Sequence, residues 1–186
     1  MKHSKALAAS LFALGMAGAA LANTPLVNKT ISEAEVLAAQ KGWGDALVQI
    51  STTYEKDGHA AAKDLAGKII DSAYGYQFGP VLFKPTLTVA PQTFRTTREG
   101  ALAYFVGSDP AFPKDTGFAL KGWRNVEIKN AAIFLAGNVA TTMGNVSFTD
   151  KNGKVTTVDK TWKFLKDDNG KLRIVVHHSS LPYAPN

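Results

Sequence analysis

KLRIVVHHSSLP, residues 171–182, is an alternating apolar run that ends in two histidines, two serines and a proline. Alternation with a period of two marks a half-buried β-strand, and Pro182 stops it. Working back from it, Asn169-Gly170 makes a hairpin turn to a strand over 155–166. Asn152-Gly153 leads to a strand over 139–149, and Gly137-Asn138 to one over 118–135 that is irregular at Gly122-Trp123. Asn and Gly tolerate the left-handed conformations that such turns need, so the C-terminal half reads as a four-stranded antiparallel meander.

The N-terminal half has a different period. Val36, Gln40, Trp43, Leu47, Ile50 and Tyr54 recur every three or four residues and form one stripe along a helix that Ser32 and Glu35 cap. Asp57-Gly58 breaks the pattern, and Ala62, Leu65, Ile69 and Ala73 mark a second helix ending near Tyr74-Gly75. Val81, Phe83, Leu87 and Val89 alternate as a strand interrupted by Pro85, which belongs at a sheet edge. Thr96 and Glu99 then have the capping-box spacing for a third helix ending at Gly107. The expected fold class is α+β, with three helices packed on a curved, mainly antiparallel sheet.

That order of elements, with GPVLFKPT (79–86), TTREGALAYFVG (96–107), VSFTDKNGK and the C-terminal VDKTWKFLKDDNGKLRIVVHHSSLP (158–182), resembles the NTF2-like, SnoaL-like superfamily. It is most similar to the bacterial relatives of the calcium/calmodulin-dependent kinase II association domain. The resemblance implies a cone with a pocket between sheet and helices, and homodimers or larger rings formed through the outer sheet face. In the kinase association domain it also implies buried arginines and a histidine that hold small carboxylates. Here Ser179 and Trp162 stand where two of those arginines would be, and Arg95, Lys84 or Arg173 are the cations left to replace them. The superfamily spans isomerases, cyclases, dehydratases and oligomerisation hubs, so likeness alone names no activity.

Lys2 and Lys5, an apolar run over 6–21 and Ala20-Leu21-Ala22 read as a signal peptide over 1–22, followed by one domain over 23–186. The expected location is the periplasm or outside a bacterial cell, with no membrane attachment after cleavage. The chain has no Cys, which removes disulfides and thiolate chemistry. The formal charge of +6 falls to +4 without the two leader lysines, and the excess lies in the C-terminal half. Those lysines are scattered singly, which argues against nucleic acid and only weakly for a small anionic ligand.

His177 and His178 lie on opposite faces of a regular strand. Counting in twos from Leu172 puts His178 with Ile174 and Val176, and leaves open which face lines a pocket. Asp159, mid-strand, is the carboxylate candidate for acid/base work with either histidine. A ligand pocket at the cone mouth would draw on His178, His177, Ser179, Tyr74, Tyr76, Trp162, Arg95 and Lys84. Three histidines after the leader, without Cys, fit neither a metal site nor a cofactor. The leading expectation is a protein that binds a small ligand without turnover and self-associates through its sheet. A cofactor-free isomerase or hydrolase using Asp159 and a histidine, or a purely structural oligomerisation module, is the alternative.

Overall fold

The computed structural model describes residues 28–185, so the leader expected over 1–22 lies outside the described residues. A long helix, α1 (Glu33–Ala73), and a short one, α2 (Arg98–Val106), lie on one face of a five-stranded sheet. Its strands are β1 (Leu82–Lys84), β2 (Trp123–Ala136), β3 (Val139–Asp150), β4 (Val155–Lys166) and β5 (Leu172–Ser180), in the order β1-β5-β4-β3-β2. The meander is as expected, and β1 joins its edge parallel to β5.

The two expected helices are one element with a kink. Gly58 is non-helical at φ 83°, a value cheap only for glycine, and His59 Nε2 bonds the Val106 carbonyl at 2.8 Å, fixing the bend against the end of α2. Ser32 and Glu35 do form the capping box. Glu35 also takes a hydrogen bond from Lys166 at 2.6 Å, so the start of α1 is tied to the end of β4. The cap of α2 falls one residue later than expected, on Thr97, whose side chain accepts from Gly100 N. The strand read over 81–89 stops at Lys84, because Pro85 cannot donate to a ladder.

Two bulges shape the sheet. In β2 the register with β3 shifts between Asn130 and Ala132, which turns Asn130 inward to exchange hydrogen bonds with buried Gln40 of α1. The bulged backbone crosses so close to β3 that a Cβ on Gly144 would lie 2.1 Å from the Lys129 carbonyl oxygen. Gly144→Ala therefore forces the bulge out of place. Chemical denaturation should show a loss of about 3 kcal/mol or more, at the upper end of overpacking costs.

The second bulge positions the histidines. Lys163 pairs with Val176 but Phe164 pairs with Ile174, so Val175 is an extra residue in β5. Its presence reverses the alternation: Ile174, His177 and Ser179 all face the helices, and His178 faces out.

Candidate active site

Five helices and strands, with two connecting segments, bring their buried side chains together. Phe83 of β1 pairs in register with His177 and stacks on it, with ring centroids 4.4 Å apart. From α1 come Trp43 and, at its C-cap, Tyr74; α2 gives Tyr104 and Phe105; β4 gives Lys160. Pro85 and Thr86 come from the loop that leaves β1, and Phe118 from the 3-10 turn before β2. Trp43, Phe83, Pro85, Thr86, Tyr104, Phe105, Phe118, Lys160, His177 and Ser179 line a small, partly open cavity with about 10 Å³ of room for a water-sized guest. Pockets for ordinary metabolites run to roughly 300–1,000 Å³, so this one suits a very small guest.

Its polar groups form two sets. The hydroxyls of Thr86 and Ser179 hydrogen-bond each other. Behind them runs a chain: Trp43 Nε1 to Tyr74 Oη at 3.0 Å, Tyr74 Oη to His177 Nδ1 at 2.8 Å, and His177 Nε2 to Lys160 Nζ at 2.7 Å. Direction is fixed at one end, because an indole N–H only donates. Tyr74 accepts there, and in the tautomer in which it gives its single hydrogen to Nδ1 the imidazole proton sits on Nε2, pointing at Nζ. An ammonium has no lone pair to receive it, so this tautomer needs Lys160 as a neutral amine, whereas with the ring proton on Nδ1 the Tyr74 oxygen accepts twice and an ammonium can donate to Nε2.

Electrostatics agree with this hydrogen-bond argument. Burial pushes the Lys160 ammonium down to about 7, with no carboxylate paired to it among the described residues. The rings of Trp43 and Trp162, 4.8 and 5.3 Å from Nζ, offset part of that desolvation. Burial first, and then the positive charges of Lys160 and His178, hold His177 well below the usual histidine range. Burial also pushes Tyr74 well up and raises Tyr104, whose shift the backbone at Leu87 and Thr86 opposes. At neutral pH every ring and hydroxyl here is uncharged.

The residues expected to form the site divide sharply. His177, Ser179 and Tyr74 are brought together. Trp162 is buried against Trp43 and His177, with its Nε1 lacking a partner, and packs behind the cavity rather than lining it. Tyr76 donates its hydroxyl to the Arg95 carbonyl, and Arg95 is consumed by Asp115; neither lines the cavity. Arg173 is paired with Asp167. Lys84 and His178 lie on the outer face, where Lys84 Nζ reaches the Ser179 carbonyl at 3.3 Å. Asp159 is also outside, exposed and bonded to Asn145, so it cannot meet His177 at a common point. Lys160, Thr86 and Tyr104 were not among the expected site residues.

A long kinked helix and a short one closing a bent sheet over an internal cavity make this an NTF2-like α+β protein. In keeping with that, a structure from Xanthomonas campestris described as a calcium/calmodulin-dependent protein kinase II association domain superposes with a TM-score of 0.52 at 26% identity. That match covers 83% of this chain and 91% of the other. The family is narrower: residues 34–181 match the model of metal-independent carbonic anhydrase, and the chain belongs to that family. A metal-independent carbonic anhydrase from Nostoc sp. (strain PCC 7120) is 75% identical over 160 residues, covering 86% of this chain and 78% of the relative. The crystal structure of a cyanobacterial iota-carbonic anhydrase complexed with bicarbonate is 74% identical with a TM-score of 0.85, covering 87% and 99%.

Family membership overturns three expectations drawn from the sequence: a binding protein without turnover, a purely structural module, and the leaning against an enzyme. It also displaces the isomerase or hydrolase alternative, whose carboxylate the sheet holds on its far side.

Proposed function

We propose that this chain interconverts carbon dioxide and bicarbonate in the cavity bounded by Thr86, Tyr104, Lys160, His177 and Ser179. The observation that carries the reading is a small buried cavity in which hydroxyls and an imidazole–amine pair face aromatic walls. Carbon dioxide is small, linear and without net charge, and the rings of Phe83, Phe105, Phe118 and Trp43 accept it at little desolvation cost. As water adds to its carbon, negative charge grows on the oxygens. The hydroxyls of Thr86 and Ser179 are already placed to donate to that charge in a site with little water to reorganise. Among the described residues no group of three or more His, Cys, Asp or Glu is arranged to hold a metal ion.

The test is stopped-flow hydration of carbon dioxide by the mature protein, before and after exhaustive treatment with a chelator. The expected result is a rate well above buffer that chelation leaves unchanged. A rate no faster than buffer alone would sink the reading. We further propose that the protein is exported and forms a homodimer or larger homo-oligomer through the outer sheet face, where Phe134 and Met143 are 69% and 62% exposed.

A further inference from the structure

The cavity assigned to carbon dioxide and bicarbonate has one side chain on its wall able to carry positive charge at neutral pH, Lys160. Every other residue lining it is aromatic or aliphatic, or carries a hydroxyl or the imidazole of His177. An anion moved from water into such surroundings is strongly disfavoured unless a cation balances it. Yet the arrangement that also uses the Tyr74 hydroxyl hydrogen, in the chain from Trp43 through Tyr74 and His177, needs Lys160 uncharged. The same residue is thus neutral when the cavity suits carbon dioxide and must be charged when it holds bicarbonate.

We propose that bicarbonate and one proton enter this site as a pair, with the proton on Lys160 Nζ, and that this proton is the one consumed when bicarbonate is dehydrated. This rests on the carbonic anhydrase reading above. In dehydration Nζ gives its proton to the hydroxyl oxygen of bicarbonate. The bond from carbon to that oxygen breaks, its electron pair leaves with the water formed, and carbon dioxide departs from beside an amine. Hydration reverses the step: the water oxygen bonds to carbon while Nζ takes the water's proton, leaving an ammonium beside bicarbonate. The reaction releases one proton per carbon dioxide hydrated, so a single titrating group balances it.

The Nζ···Nε2 bond reverses with the charge. An ammonium donates to Nε2, and the imidazole then carries its own proton on Nδ1, towards Tyr74; the ring stays neutral throughout. Lysine in water, at about 10.4, would remain charged across the neutral range and could not make this exchange. Here burial brings it to about 7. The titratable groups facing Nζ are His177 and, on the far side of β5, His178; Tyr74 from the end of α1; and Tyr104 from α2. From β3 it meets the ring of Phe148. None of these is a carboxylate that would hold the lysine charged.

The experiment is calorimetric titration of the purified protein with bicarbonate at pH 7 and pH 9, each in two buffers of different ionisation enthalpy. Between these values the protonated fraction of Lys160 falls from about one half to about one in a hundred, so affinity should weaken about fiftyfold. Close to one proton should be taken up per bicarbonate bound at pH 9, and about half a proton at pH 7. Bicarbonate should also move the His177 imidazole proton from Nε2 to Nδ1, read from its ¹⁵N resonances. Lys160→Met should abolish the proton uptake and flatten the pH dependence. Equal affinity at the two pH values, or unchanged proton uptake in Lys160→Met, overturns the assignment; if that variant does not fold, the wild-type titration decides alone. An active enzyme with pH-independent binding would remove Lys160 from this role and leave the activity standing. Proton-coupled binding without hydration would do the reverse.

Discussion

An enzyme carrying Ser179→Ala is expected to hydrate carbon dioxide with kcat/KM lowered roughly 10²–10³-fold, the loss seen when one donor to a developing oxyanion is removed. Ser179 is buried, its hydroxyl bonded to that of Thr86 on the cavity wall. On the proposed reading that hydroxyl faces the substrate's oxygens in the small cavity it lines. Losing the donor therefore leaves the new charge facing a methyl group. Thr86→Val keeps shape and volume and removes the other hydroxyl, so a similar loss is expected. Because the two groups share a hydrogen bond, the double variant should lose much less than the sum of the two free energies. Ser180, the next residue, lies on the opposite face of β5, and Ser180→Ala should retain wild-type kinetics. Stopped-flow rates for the four variants, with thermal unfolding to confirm intact folds, decide the matter. A loss below about threefold in Ser179→Ala would place the chemistry elsewhere.

The meander was legible because hairpin signals are local: Asn-Gly pairs and period-two alternation act within a few residues. The first capping box was legible for the same reason. The direction in which His177 points was not, because it depends on the extra residue at Val175, and a bulge is set by what packs on the strand. Counting in twos from Leu172 puts His178 on the face of Ile174; the bulge puts His177 there instead.

The charge on β4 that mattered was nevertheless visible. Val158, Lys160, Trp162 and Phe164 share one parity, and three of the four are large and apolar. Lys160 thus stands among core residues, whereas Asp159 has the polar parity of Thr157, Thr161 and Lys163. A carboxylate mid-strand drew notice by residue type; the strand's own alternation singles out the lysine as the misfit. Thr86 carried no comparable signal. It follows a proline in a loop, and only the parallel pairing of β1 with β5 brings it to Ser179, 93 residues away. The family's chemistry was equally hidden, since hydroxyls on scattered elements form no motif along the chain.

Arg95→Met is expected to cost about 3–5 kcal/mol of stability. Arg95 was expected as a ligand-binding cation, but its guanidinium donates to both Asp115 oxygens at 2.9 and 2.7 Å and to the carbonyls of Gln92 and Phe94. The two side chains are 2% and 3% exposed, and the ring of Phe112 lies against the guanidinium. Removing the arginine leaves a carboxylate buried without a partner, which costs more than the intact pair ever contributes. For a domain of this size the melting temperature should fall by roughly 10 °C. Replacing both partners, as in Arg95→Met with Asp115→Leu, removes the orphaned charge and should recover more than half of the loss. Function should suffer as well, because the Arg95 side chain fastens the end of the loop that carries Thr86 through the Gln92 and Phe94 carbonyls. Below its melting point Arg95→Met should therefore retain Ser179 and His177 on their strand yet lose hydration rate through a displaced Thr86. Chemical denaturation of the two singles and the double gives the coupling energy directly. A single-variant loss under about 1 kcal/mol would show that the pair does not hold the loop.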